Sequence, residues 1–208
     1  MLEAFPRPLL GGATPTVLTI SGGIALAPAD GDEADTLLRH AELALYEAKR
    51  LGTGRRQFFQ PALSTGAAQR LALETGLRMA LPRQQFRLHY QPQLDLHDGT
   101  LVGVEALLRW EHPELGTIPP AQFIPVAEET GQIEEIGQWV LLEACLQLRA
   151  WDDAGLGIHG MSVNCSVQQL DADRLPAQVA AILAATGIAA DRLELEITES
   201  VLMRDPEH

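Results

Sequence analysis

Residues 86–110, FRLHYQPQLDLHDGTLVGVEALLRW, hold two strand patterns around one turn. In the first, Phe86, Leu88, Tyr90, Leu94 and Leu96 share one parity and polar residues take the other, the alternation of a half-buried strand. HDGT at 97–100 has hairpin-turn chemistry, so the run from Leu101 should return antiparallel to the first. That second run is apolar enough for an interior strand, yet it carries Glu105 and Arg109. An unpaired buried carboxylate costs several kcal/mol, so a charge kept there needs a partner.

Downstream, helical and strand patterns alternate. A helix is expected over about 132–151, with Ile133, Ile136, Val140, Ala144, Leu148 and Trp151 as its stripe, after a connection through Pro113–Pro125. A short strand, GMSVNCS, follows; then come a helix near 174–186 and the strand RLELEITES. Strands alternating with helices imply parallel strands joined by helical crossovers. By parity, Glu105, Leu107 and Arg109 point one way, as do Ser162, Asn164 and Ser166, and Glu194, Glu196 and Thr198. In a parallel barrel the inward positions of neighbouring strands converge near the C-terminal rim. Glu105, Asn164 and Glu196 can therefore meet, and two carboxylates with one amide oxygen suit Mg²⁺ or Mn²⁺ rather than Zn²⁺. Arg109 lies about 13 Å beyond Glu105 at ~3.3 Å per residue. That is too far to neutralise it, but suits a second phosphate of a metal-bound ligand.

Upstream, VLTISGGIALA at 17–27 reads as a hairpin or strand pair hinged at Gly22-Gly23, and Asp32 or Asp35 as a cap for a helix over about 34–51. Leu37, Leu38, Ala41, Leu45, Ala48 and Leu51 form that helix's stripe, and Gly52 stands just past its end. PALSTG at 61–66 reads as a linker, with an amphipathic helix over about 67–81.

The chain has 208 residues, 46% hydrophobic and 21% charged, with a formal net charge of −13. This is ordinary globular composition. The acidity argues against nucleic-acid polymers, which need a basic stripe, and leaves small anionic nucleotides open. No stretch approaches the ~18 apolar residues of a membrane span, and the N-terminus lacks the pattern of a secretory signal, so a cytoplasmic setting is the default. Cys145 and Cys165 lack zinc spacing and read as buried small residues. Trp110, Trp139 and Trp151 read as packing residues. His89, His97, His112 and His159 have no ligand spacing. Glu194 reads as solvated or as supporting the ligands, and Glu128 and Glu129 as charges at a helix start or as part of the binding surface.

YQPQLDLHDGTLVGVEALLRWEHPELGTIPPAQFIPVAEETGQI, with SVNCS and LELEITES downstream, closely resembles the EAL-domain phosphodiesterases that hydrolyse cyclic di-GMP. The resemblance implies an α/β fold: a TIM-like (β/α) barrel with an antiparallel first strand, of which this chain supplies part. It implies Glu105, Asn164 and Glu196 as ligands of Mg²⁺ or Mn²⁺, with Glu105 catalytic. Gln91 and Arg109 would contact cyclic di-GMP, and Glu199 would orient an active-site loop. In the family, a metal-activated water opens one phosphodiester to give linear pGpG. Residues 17–59 resemble the C-terminal third of a GGDEF diguanylate cyclase domain, carried by ALYEAK and the Gly-Arg ending. Glu42 departs from the usual Asp, a second glycine stands in S-G-G, and the GGDEF signature is absent, so no cyclase activity is expected.

The expected organisation is a GGDEF-like remnant over 1–60, a linker over 61–69 and the N-terminal portion of an EAL domain over 70–208. A TIM barrel runs to ~250 residues, and the family's double-Asp segment, catalytic Lys and later Glu would fall after His208. WDDAGL at 151–156 ends a helix and does not replace them. The 208 residues alone are expected to show little turnover, and an open partial barrel to favour association. Family members often dimerise, so a homodimer is expected. The alternative reading is a non-catalytic module that binds cyclic di-GMP or a partner protein.

Overall fold

The computed structural model describes residues 19–52, 54–170 and 174–197. They divide into two units, one up to Ala72 and one from Leu73 onward.

In the first unit, β1 (Gly22–Ile24) runs parallel to β2 (Arg56–Phe58), and α1 (Ala34–Arg50) makes the crossover between them. The expected hairpin at Gly22-Gly23 is therefore not formed. The partner of β1 is reached through a helix, because the diglycine continues a strand whose far side carries α1. A Cβ on Gly23 would collide with the backbone of α1 at Ala41 and Leu45, whereas Gly22 faces open space. Neither Asp32 nor Asp35 caps α1: its N-cap is Glu33, without a side-chain cap bond. Asp30 orders the preceding turn instead, accepting from the Leu26 N–H at 2.7 Å. Its carbonyl accepts from His40 Nδ1 at 2.6 Å, and that imidazole stacks on Phe59. Ala44 and Ala48 are buried, while Leu38 and Leu51 of the expected stripe are exposed. Gly52 follows the helix at φ +123°, as a C-terminal glycine should.

Helix α2 (Pro61–Ala80) starts earlier than its apolar pattern, so PALSTG forms its first turns. Proline is tolerated there because the first helical N–H groups lack partners in any helix.

In the second unit, β3 (Phe86–Leu94) and β4 (Leu101–His112) form the expected antiparallel hairpin, in register from Phe86↔Trp110 to Leu94↔Leu101. The turn is built by its aspartates. Asp95 accepts from the His97 N–H, Asp98 accepts from both the backbone and hydroxyl of Thr100, and Gly99 sits at φ +73°. The alternation of β3 holds only to Tyr90. A bulge at Gln93/Leu94 shifts the facing, leaving Leu94 and Leu96 exposed against expectation. Strand β5 (Gly116–Ile118) pairs with the end of β4, and α3 (Pro120–Glu129) occupies the stretch expected to be a connection. Pro120 at its first position opens that helix rather than preventing one.

Helix α4 (Ile133–Asp153) buries the predicted stripe up to Leu148, with Trp151 half-buried. Then follow β6 (Met161–Cys165), α5 (Arg174–Thr186) and β7 (Leu193–Ile197). The sheet order is β3-β4-β6-β7, with β4, β6 and β7 parallel. This is an open section of a TIM-like barrel with an antiparallel first strand.

The core centres on Trp110, Phe86, Phe123 and half-buried Trp139, whose rings lie 5.5–6.0 Å apart in the observed pairs. Cys145 and Cys165 are free and buried, and burial pushes both thiols up. Asp152 of WDDAGL forms a two-pronged pair with Arg192 at 2.6 and 2.9 Å, tying the end of α4 to the start of β7. Asp153 pairs with Arg149. Both aspartates therefore have structural partners.

Candidate functional site

Register decides which side chains of the sheet can meet. Glu105 stands opposite Gln91 on β3 and Ser162 on β6, and Ser162 stands opposite Glu194 on β7. Register partners share a face, so these four residues form one row. Two residues toward the C-terminal ends, Asn164 stands opposite Glu196. The rows join diagonally, because Asn164 Nδ2 donates to Glu105 Oε1 at 2.7 Å. Parity alone placed Glu105, Asn164 and Glu196 on one face; the bond shows that the first two touch. Glu196 is half-buried beside Asn164 on the next strand.

Within the lower row, Ser162 is buried and its hydroxyl donates to Glu194 Oε2 at 3.3 Å. Glu194 thus has a neighbour inside the row. Gln91 is exposed. Arg109 is half-buried, and its Nη1 donates to the Leu108 carbonyl at 2.8 Å, so in this state the guanidinium folds back on its own strand. Among the described residues no ion pair joins it to Glu105. Glu199 lies outside the described residues.

A cavity of about 390 Å³ opens between these strands and helices α3 and α4. Glu105, Arg109, Asn164 and Glu128 contribute its polar wall, and Ile124 and Val140 are among its apolar lining. Glu128 falls among the cavity residues, the second of the two readings its sequence context left open. It ends α3 instead of starting a helix, and its Oε1 accepts from the Ser166 hydroxyl at 2.6 Å. The turn Val167–Gln169 that follows β6 is closed by a capping box between Ser166 and Gln169. That box could have been read from S-V-Q-Q in the sequence. The apolar residues Phe123, Val126 and Ala127 behind Pro120 could likewise have disclosed α3.

The donors are hard oxygens, apt for Mg²⁺ or Mn²⁺ and unsuited to zinc. Among the described residues no three His, Cys, Asp or Glu side chains gather at metal-binding spacing, so an oxygen site here needs the amide of Asn164. His89, His97 and His159 take no part in the cavity wall, and His112 Nδ1 accepts from the Glu114 and Leu115 N–H groups in the turn after β4. No helix among the described residues is long and apolar enough to cross a membrane.

The EAL domain family model matches residues 74–208, and the model of the diguanylate cyclase GGDEF domain matches residues 1–55. The chain is 44% identical over 188 residues to the bifunctional diguanylate cyclase/cyclic di-GMP phosphodiesterase MucR of Pseudomonas aeruginosa, covering 90% of this chain and 27% of MucR. It is 40% identical over 203 residues to the cyclic di-GMP phosphodiesterase NbdA of the same organism, covering 98% of this chain and 26% of NbdA. The chain thus spans about a quarter of the length of these relatives. Among solved structures, the MucR phosphodiesterase in complex with c-di-GMP superposes with a TM-score of 0.61 at 47% identity, over 65% of this chain and 55% of that one. On the match across residues 74–208 and the sheet order described above, the chain belongs to the EAL domain family, with a GGDEF-domain fragment at its N-terminal end.

Proposed function

We propose that the chain contributes the Glu105–Asn164–Glu196 face of a metal-dependent phosphodiesterase site for cyclic di-GMP. The observation that carries this reading is the 2.7 Å bond between Asn164 and Glu105, with Glu196 in register beside Asn164. Two carboxylates and an amide on adjacent parallel strands gain little from one another, because like charges repel without a cation. The residues fit a divalent ion. Half a turn of the Asn164 amide exchanges Nδ2 for Oδ1 beside Glu105 and completes an all-oxygen set with Glu196.

A bound Mg²⁺ or Mn²⁺ would supply Lewis-acid polarisation of a phosphoryl oxygen and a more acidic water. The chain's own residues supply the rest. Glu105 and Glu196 bring negative charge to the C-terminal end of the sheet, which selects a cation over the anionic ligand alone. Arg109, released from the Leu108 carbonyl, can hold a second phosphate through its planar fork. Gln91, exposed opposite Glu105, can hydrogen-bond the ligand from the antiparallel strand. Glu199 is proposed to orient a loop of the same site. The relatives named as cyclic di-GMP phosphodiesterases and the c-di-GMP complex of MucR support this substrate.

Two measurements test the reading. Calorimetry should detect Mn²⁺ binding to the wild-type chain and a loss of at least tenfold in affinity for Glu105→Gln. Incubation with cyclic di-GMP and Mn²⁺, followed by chromatography, reports pGpG. Equal Mn²⁺ binding by wild type and Glu105→Gln would refute the site. Little pGpG is expected from the 208 residues alone, and cyclic di-GMP binding without pGpG in a full-length version would favour the non-catalytic module instead.

A further inference from the structure

We propose that Glu128 is a positioning residue for the cation site. It fixes the exit of β6 through Ser166, and with it the side chain of Asn164. This rests on the reading of Glu105, Asn164 and Glu196 as the cation's ligands.

Glu128 stands in the last turn of α3, followed by Glu129, and no basic residue shares that turn. Carboxylates are disfavoured there, where the helix dipole presents its negative end. The position therefore needs a compensating contact. It has one in the Ser166 hydroxyl, which donates to Glu128 Oε1 at 2.6 Å, a charge-assisted bond of short length. Ser166 is two residues beyond Asn164 and directly follows β6, at the N-cap of the turn Val167–Gln169.

A second contact secures the same point from α4. Gln169 Oε1 accepts from the Ser166 N–H at 3.0 Å. The Gln169 side chain lies directly on Gly137, where an added Cβ would overlap it. Ser166 is thus held by its hydroxyl to α3 and by its backbone to a side chain seated on α4. A strand end left free after Cys165 would let the Asn164 amide swing away from Glu105; these two contacts confine it. Outer groups of this kind orient metal ligands, and their removal typically costs 10–100-fold in metal affinity.

The experiment uses the whole chain and reads Mn²⁺ affinity by calorimetry together with amide hydrogen exchange at Ser166 and Gln168. Glu128→Ala should weaken Mn²⁺ binding at least tenfold and speed exchange at both amides. Glu128→Gln keeps an acceptor for the Ser166 hydroxyl and should stay within about threefold of wild type. Ser166→Ala, which removes one oxygen, should reproduce the Glu128→Ala loss even if the latter folds poorly. Trp110→Phe, which lowers stability without removing either Ser166 contact, should leave the affinity unchanged. Wild-type affinity and exchange in both Glu128→Ala and Ser166→Ala would overturn the inference. So would a Glu128→Gln loss as large as that of Glu128→Ala, since charge on the cation would then be the cause. Absence of Mn²⁺ binding in the wild type would overturn the cation-site reading and this inference with it.

Discussion

Replacing Asn164 with Asp puts a carboxylate where Nδ2 now donates to Glu105 Oε1 at 2.7 Å. Two penalties add. Like charges about 4 Å apart repel by ~1 kcal/mol in water and ~4 kcal/mol at an effective dielectric of 20. Asn164 is exposed and Glu105 half-buried, which favours the lower figure. The lost hydrogen bond contributes about 0.5–1 kcal/mol at an exposed position. The sum is ~2 kcal/mol, or a Tm lower by about 4–8 °C for a chain of this size. The repulsive part has a defined pH signature. Repulsion makes the folded pair hold its proton more tightly than the unfolded chain does. That part is therefore smallest at the acid end of the carboxylate range and grows as pH rises through it. A cation reverses it: free Mg²⁺ or Mn²⁺ at ten times its Kd restores about 1.4 kcal/mol. Circular-dichroism melts of wild type and Asn164→Asp between pH 4 and 8, with and without MnCl₂, measure all of this. Identical melts at pH 7 would refute the juxtaposition of residues 105 and 164. A deficit of equal size at pH 4 and pH 7 would refute charge repulsion as its cause.

Three further outcomes are expected. Trp110→Phe removes the indole N–H that donates to Gln85 Oε1 at 3.1 Å in the core. Urea denaturation should show a loss of about 2–4 kcal/mol, from an unsatisfied buried acceptor plus a small cavity, and the cost should shrink in a Gln85→Leu background. Gly23→Ala pushes a methyl group into the backbone of α1, and should cost the first unit about 1–3 kcal/mol by the same assay, while Gly22→Ala costs less. Burial, with the Glu143 charge added, pushes the Tyr90 phenol up to about 12. The unfolded phenol ionises near 10, so this contribution is complete below pH 10 and is lost as pH climbs from 10 through 12. Ultraviolet titration should show a late tyrosinate step that Tyr90→Phe removes; retention of that step in the variant would refute the assignment.

Much of the architecture could be read from local pattern. The hairpin around residues 97–100, the buried stripe of α4 and the limits of α5 all follow from which positions a helix or strand must bury. The reading failed where a local signal had two structural meanings. PALSTG reads as a linker, yet Pro61 opens a helix, and Pro120 opens another within the stretch read as a connection. Diglycine reads as a hinge, yet Gly23 is a close approach between strand and helix. The bulge in β3 turned Leu94 outward, and nothing in the alternation announced it.

Parity determined from sequence alone that Glu105, Asn164 and Glu196 lie on one face of their strands, because side chains alternate with period two wherever a strand forms. The tertiary structure alone decided that Asn164 reaches Glu105 diagonally, that Glu128 grips Ser166, and that Arg109 lies folded on its own strand. Those outcomes depend on register between segments up to 59 residues apart and on how helices seat against the sheet. Such non-local choices are set by the packing of the whole core, and no single stretch of chain encodes them.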